Sequence, residues 1–455
     1  MAIASPIRTS GHLFRILGVG FGVAVSVGAT VGSGILRTPG EIVAHWGSSW
    51  PIFALWLLGG LYTLLSCSAL LELGMMFPNA GGWYVYSRRT FGDYGGFLVG
   101  CCDWMIEAIA TAYLAITLAE FAAGLQPVLA GRVRVVALTS LGIFGLLNWL
   151  GLRAGSRTQE LTSLVKVLAL VALVLACFRL PAAARSAPSA VLSNSLGQKE
   201  SLLLAFVLSM QAVIITYDGW YAPIYFTEED KNPDKNMPRS MIGGVVSSAV
   251  IFVLMNAALL HILPMGQLAG SQAPAADAAM VVFGSFGKEI IFVISIITVV
   301  STINATLLMG PRILFGMGRD GLAPRWAASV NAGGTPSAAL LLTILTSSVL
   351  ILTGSFETLI AIASFFMLAV HMSGFSALLV LRRRRPDLPR PYKVWFYPWT
   401  PLALLVVSGV FFVLFVIADP RHSLVTVLLI GLSYPVYVLV KRRTQRHSII
   451  TPASQ

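Results

Sequence analysis

The sequence predicts an all-α, polytopic membrane protein, and three observations predict it. The first is composition: of 455 residues, 56% are hydrophobic and only 11% charged, with a mean hydropathy of +0.80, whereas soluble domains carry about 25% charge. The second is spacing: about twelve apolar segments reach spanning length, which takes roughly 20 apolar residues. The third is a pair of interruptions, Ala29-Thr30-Val31-Gly32-Ser33-Gly34-Ile35-Leu36 in the first segment and Tyr217-Asp218-Gly219-Trp220-Tyr221-Ala222-Pro223 in the sixth. Glycine in a helix costs about 1 kcal/mol relative to alanine. Irregular backbone survives in hydrocarbon only where it lines a cavity or is buried in protein.

In chain order the segments fall at 13–37, 50–76, 97–124, 135–152, 161–180, 202–226, 241–263, 289–317, 338–352, 357–381, 400–417 and 424–440. Polar tails at 1–12 and 441–455 flank them. The broken segments stand five apart, so 13–180 and 181–381 are expected to be two five-helix repeats, with 382–440 an appended pair. An odd number of spans per copy inverts one repeat relative to the other. Broken helices at corresponding places in two halves point to a transporter's substrate site. No small-residue cleavage site follows the first segment, so no cleavable signal peptide is expected.

The net charge of +12 does not indicate nucleic acid, because the basic residues lie in short loops between apolar runs. With alternating topology, 22 of the 31 lysines and arginines fall on the amino-terminal side, 8 on the other and Lys166 within the membrane. Loops rich in Lys and Arg stay in the cytoplasm, so both termini are expected there, with the chain in the cytoplasmic (inner) membrane. The count places Arg312, inside the 289–317 segment, on the amino-terminal side. The arginines at 382–385 read as a stop-transfer anchor, with lipid head-group binding the weaker reading. Cys67, Cys101, Cys102 and Cys177 lie in apolar segments without metal-ligand spacing. No HExxH motif, His/Cys ligand set or phosphate loop is present, so neither an enzyme nor a cofactor is expected.

At the first break, backbone chemistry alone suggests a ligand. A helix N-terminus presents free N–H groups and suits an anion, and a C-terminus presents free carbonyls and suits a cation. A break over Val31, Gly32, Ser33, Gly34 and Ile35 offers both within a turn, which is what a zwitterionic α-amino acid requires. The carboxylate would take the N–H groups of Ser33, Gly34 and Ile35. The competing reading is a Gly-x-Gly face for helix packing.

These motifs carry a resemblance. Gly32-Ser33-Gly34-Ile35 resembles the GSGI signature of the amino acid–polyamine–organocation (APC) transporters. Leu71-Glu72-Leu73-Gly74, then Phe77-Pro78-Asn79-Ala80-Gly81-Gly82-Trp83-Tyr84, is similar to their stretch after helix two. Tyr217-Asp218-Gly219-Trp220, Tyr225, Glu228-Glu229, Lys231-Asn232-Pro233 and Pro238-Arg239 resemble their helix-six signature. Gln159 and Lys166 fit helix five of the L-type amino acid transporter branch. The resemblance spans 13–381 and implies the fold of the sodium-coupled leucine transporters (the LeuT fold), with helices one and six unwound at mid-membrane.

It also implies roles. Carbonyls around Ile215 and Asp218 would help hold the ammonium, while Gly219, Trp220 and Tyr221 would shape the side-chain pocket. The Asp218 carboxylate either pairs with a cationic substrate or caps free backbone donors. Two departures bear on selectivity: the family often has a large aromatic residue where this chain has Ile215, and an asparagine where it has Tyr221. Lys166 would supply the positive charge that a bound sodium ion supplies in sodium-coupled relatives. Its ammonium would cost about 2.5–3.5 kcal/mol in hydrocarbon, so it needs carbonyl or carboxylate partners, unless it snorkels to the surface.

Other polar residues are read more loosely. Glu72 is expected at the end of helix two, at a gate or in solvent. Asp103 and Glu107, at i and i+4, share a helix face and would line the pathway or pair with an arginine. Asn304 and Ser364 face the centre or simply pack, and His261 and His371 are placed near helix ends. The function expected is alternating-access transport of L-amino acids, leading with neutral ones, sodium-independent and by exchange. The alternatives are proton-coupled symport, cationic amino acid or polyamine antiport and, from another class, an ion channel. The expected partners are amino acid and membrane lipid. The loop at 126–134 has no cysteine, so the disulfide-linked heavy subunit of animal relatives is not expected.

Overall fold

A computed structural model describes residues 12–46, 48–182, 202–354 and 356–450. Fifteen α-helices are described: α1 (Val19–Thr30), α2 (Gly34–His45), α3 (Ser49–Met76), α4 (Trp83–Leu125), α5 (Val133–Trp149), α6 (Leu152–Phe178), α7 (Leu202–Thr216), α8 (Pro233–Ile262), α9 (Met265–Gly270), α10 (Pro274–Phe283), α11 (Gly287–Arg319), α12 (Ser337–Thr353), α13 (Phe356–Arg384), α14 (Trp399–Ala418) and α15 (Pro420–Ile450). No β-strand occurs among the described residues. By length and apolarity nine helices can cross a membrane, and α1 with α2, bent by 47° at their junction, make a tenth span. The remaining apolar helices, α7 and α12, are shorter, and they occupy the positions expected of segments six and nine. The protein is thus a polytopic all-α membrane protein.

The packing follows from which side chains each helix can turn inward. Helix α11 runs through the centre, every residue from 301 to 318 buried, and packs against α1, α4, α6 and α12. Outer helices keep large apolar residues exposed, such as Leu57, Leu58 and Leu61 on α3 and Leu161, Leu164 and Leu168 on α6. In a bilayer such faces meet lipid. Small residues allow close approach: a Cβ on Gly59 would lie 2.2 Å from Val213 of α7.

Three boundaries differ from expectation. The first segment does not begin as helix at residue 13: residues 12–18 are largely extended and α1 starts at Val19, while α2 runs on to His45. The third helix begins at Trp83, because the stretch carrying Arg88 and Arg89 is helical up to a kink at Gly92, whose φ of +82° suits glycine. The sixth segment is not helical throughout. Helix α7 ends at Thr216, five turn residues follow, and a 3-10 turn spans Ala222–Glu229.

Candidate functional site

The two breaks meet. Gly219, with φ +98°, lies so close to α1 that an added Cβ would stand 2.7 Å from the Ala29 carbonyl carbon. Only glycine permits both the left-handed backbone and the contact. Ser26 donates to the Trp220 carbonyl at 3.4 Å, and the hydroxyls of Thr38 and Thr216 lie 3.1 Å apart. Helix one and helix six therefore cross at their unwound points.

A cavity of about 990 Å³ has these breaks in its wall. From the first break it is lined by Ala29, Thr30, Gly32, Ser33 and Gly34, and from the second by Ile215, Thr216, Asp218, Gly219 and Tyr221. Glu107 of α4, Thr302 and Thr306 of α11, and Ser364 and Met367 of α13 complete the inner part. Towards one end of the bundle the lining passes to exposed residues, Arg37, Glu41 and Gln272, and the cavity opens there.

Backbone groups at the first break fall as a split helix requires. The α1 chain terminates with Val31 N–H on the Val27 carbonyl and Gly32 N–H on the Thr30 carbonyl. Helix α2 restarts with Leu36 N–H on the Ser33 carbonyl, so the N–H groups of Ser33, Gly34 and Ile35 precede its first bond. Gly32 has open space where a Cβ would be, whereas a Cβ on Gly34 would lie 3.2 Å from Thr216.

Lys166 of α6 occupies the other side of this break, fully buried. Its Nζ donates to the Gly28 and Val31 carbonyls, both at 2.8 Å. Thr302 of α11 donates to the same Gly28 carbonyl at 3.1 Å. Two of the carbonyls that a helix C-terminus leaves free are thus taken by a lysine that joins α1 to α6, beside a hydroxyl from α11. Ala29 and Thr30 remain on the cavity side.

A sequence profile of amino acid permeases matches residues 21–440. The chain belongs to the amino acid permease family. Among curated proteins, the serine/threonine exchanger SteT of Bacillus subtilis is 29% identical over 440 residues, covering 95% of this chain and 98% of that one. The Asc-type amino acid transporter 1 of Mus musculus is 28% identical over 445 residues, with 94% and 81% covered. The b(0,+)-type amino acid transporter 1 of the same species is 26% identical over 422 residues, with 90% and 84% covered. The permease is accordingly an APC-superfamily amino acid transporter rather than an enzyme.

At the end opposite the cavity mouth the permease is closed by paired groups. Leu17 N–H donates to the Glu229 carbonyl and Lys231 N–H to the Leu17 carbonyl, both at 3.0 Å, so the lead-in to α1 is bridged to the end of helix six. Arg312, buried within α11, pairs through two nitrogens with the Glu229 carboxylate and lies 4.5 Å from the Phe226 ring. Phe226 in turn meets Phe21 of α1 edge-on. Arg319 binds Glu228 at 2.8 Å, and Arg88 binds Asp320 at 2.6 Å. Arg312, counted with the charges of the amino-terminal side although it falls within the 289–317 segment, is no solvated orientation charge: it lies buried on the inward face of α11. Its signal in the sequence was an arginine directly following the helical Gly310-Pro311, with the Glu228-Glu229 pair far away to receive it.

Of the residues singled out in the sequence, Gly32, Ser33, Gly34, Ile215, Asp218, Gly219 and Tyr221 share the cavity lining. Val31, Ile35 and Trp220 do not line it; their side chains are buried in the core. The Ile215 carbonyl already accepts the Asp218 N–H at 3.2 Å. Glu72 is neither exposed nor near the cavity. It is fully buried and receives Arg382 through two bonds of 2.6 Å, Arg390 at 3.2 Å and the Val394 N–H at 2.7 Å. Arg382 therefore ties the end of α13 to α3, beyond any stop-transfer role, while Arg390 and Val394 tie the following loop to the same carboxylate. Asp103 and Glu107 pair with no arginine among the described residues; Asp103 accepts the Tyr225 hydroxyl at 2.7 Å. Asn304 is a packing residue, bonded to Asn148, Gly155 and Gln159. His371 is well inside α13 rather than near its end, 3.8 Å from Asp218 and packed against Trp83 and Tyr221.

Proposed function

We propose that the permease exchanges L-amino acids, chiefly neutral ones, across the cytoplasmic membrane by alternating access, without sodium. The observation that carries this reading is the shared cavity: free N–H groups at the start of α2, carbonyls at the end of α1 and the unwound stretch of helix six all border one space. The substrate carboxylate takes the N–H groups of Ser33, Gly34 and Ile35, where the helix dipole also favours an anion. The ammonium takes carbonyls of α1 and helix six, and Tyr221, Gly219 and Asp218 border the substrate side chain. The open mouth faces outside and the paired end faces the cytoplasm, together with both termini, on the lysine and arginine bias. On this reading 13–180 and 181–381 are the two five-helix repeats, each contributing one of the breaks that line the cavity. Lys166 stands where a coupling cation would, and being covalently fixed it cannot carry an ion gradient. The 126–134 loop has no cysteine to link a heavy subunit, so the chain works without one.

The test is uptake of labelled amino acids into proteoliposomes, with amino acid present or absent inside and sodium or choline outside. Uptake is expected to saturate, to require internal amino acid and to ignore sodium. Substrate amides and esters, lacking the anion, should compete far less well than the free acids. Unitary currents, or dependence on a sodium gradient, would overturn the reading.

A further inference from the structure

One buried carboxylate of the cavity wall receives no donor from the described residues. Glu107 on α4 lines the cavity and is only 1% exposed. Thr111 bonds its backbone carbonyl at 2.8 Å, but among the described residues no group donates to its carboxylate. Asp103, one turn earlier, is no substitute donor: one of its oxygens accepts from Tyr225 and the other is buried without a partner. The two fully buried cations of the bundle are engaged elsewhere, Lys166 on helix-one carbonyls and Arg312 on Glu229. A buried acceptor without a donor is destabilising, and this one borders the space that a substrate enters.

The position of Glu107 decides what it can meet. With the carboxylate and ammonium of the substrate held at the helix breaks, the rest of the ligand is left to the walls from α4, α11 and α13. There Glu107 is accompanied by hydroxyls, Thr306 and Ser364, as well as by Met309 and Met367. Each hydroxyl already donates to its own helix, Thr306 to the Ile303 carbonyl and Ser364 to the Ile360 carbonyl. The Thr30 hydroxyl, which also lines the cavity, makes no hydrogen bond among the described residues and so does not donate to Glu107 either, which leaves the place of the donor to the ligand.

We propose that Glu107 is the specificity-determining acceptor for the substrate side chain, so that amino acids ending in a hydrogen-bond donor, hydroxyl or ammonium, are preferred over aliphatic ones of similar size. This rests on the amino acid exchange reading above. A site built around an acceptor discriminates strongly, because an apolar ligand leaves the acceptor desolvated and unpaired.

The experiment measures competition against labelled alanine exchange in proteoliposomes, with serine, threonine, lysine, 2-aminobutyrate and norleucine as competitors. Alanine carries no side-chain donor, so it reports the backbone site alone. In the wild type serine should outcompete 2-aminobutyrate, and lysine should outcompete norleucine. In Glu107→Leu both preferences should fall by about tenfold or more, the loss expected for a hydrogen bond to a charged group. In Glu107→Gln, which keeps an acceptor without the charge, serine should hold its preference and lysine lose it. Unchanged competitor ratios in Glu107→Leu overturn the proposal. Where Glu107→Leu gives no alanine exchange, Glu107→Gln decides, and an unchanged lysine-to-norleucine ratio overturns it. A wild type that exchanges amino acids without preferring donors overturns this inference alone; one that exchanges none overturns the transport reading with it.

Discussion

One fully buried cation braces the break in helix one and another the far end of helix six, but the two braces differ in chemistry. At helix one, Lys166 rests on two backbone carbonyls, with no carboxylate among the described residues paired to it. At the far end of helix six, Arg312 rests on a carboxylate, Glu229, and reaches back to the Leu308 carbonyl of its own helix. Removing the first leaves neutral acceptors behind, whereas removing the second leaves a buried charge. Breaking the helix-six brace is therefore expected to cost more stability than breaking the helix-one brace.

Three substitutions sharpen or break that contrast. The largest effect is expected for Arg312→Met, because stripping one partner from a buried pair costs about 3–5 kcal/mol. Thermal inactivation in detergent should fall sharply, and Arg312→Met combined with Glu229→Met should recover much of the loss. Equal stability of the single variant and the wild type would make the pair dispensable and the contrast empty. Next comes Lys166→Ala, which orphans the Val31 carbonyl at about 1–3 kcal/mol and leaves the Gly28 carbonyl with the Thr302 hydroxyl alone. Amino acid binding should persist while exchange slows by about tenfold or more, since 1.4 kcal/mol is a factor of ten. Normal exchange by this variant would reduce Lys166 to a packing residue. The smallest effect on stability is expected for Gly32→Val, where an added Cβ meets nothing within 4 Å. It should melt like the wild type yet bind no substrate, because its bulk enters the cavity. Gly34→Val is a poorer probe, since it also crowds Thr216. Wild-type affinity in Gly32→Val would remove the helix-one site.

Much of this protein was legible because membranes impose local rules. Runs of apolar residues mark spans, and an irregular, glycine-bearing stretch within one marks a candidate break, although a glycine pair alone does not, since Gly59 and Gly60 lie inside the unbroken α3. The Gly32–Gly34 and Gly219 interruptions were found in this way, and so was the need of Lys166 for oxygen partners. Less legible were the ends of elements: Arg88 and Arg89 read as loop because charge interrupts hydropathy, although a helix that has left the hydrocarbon tolerates them.

What the sequence by itself determined is the class, the order of the spans and the two places where the backbone leaves the helix, because each depends on residues within about one span of chain. Tertiary structure alone decided which groups face one another. Lys166 finds Gly28 across 138 positions, Glu229 finds Arg312 across 83 and Glu72 finds Arg382 across 310. No local propensity distinguishes these from arginines and glutamates in a loop. The same holds for Glu107: its helix and its face follow from spacing, but that no donor reaches it is a property of everything packed around it. Burial and pairing of charge are set by the assembled bundle, where removing water makes each polar group depend on whichever partner the fold brings near.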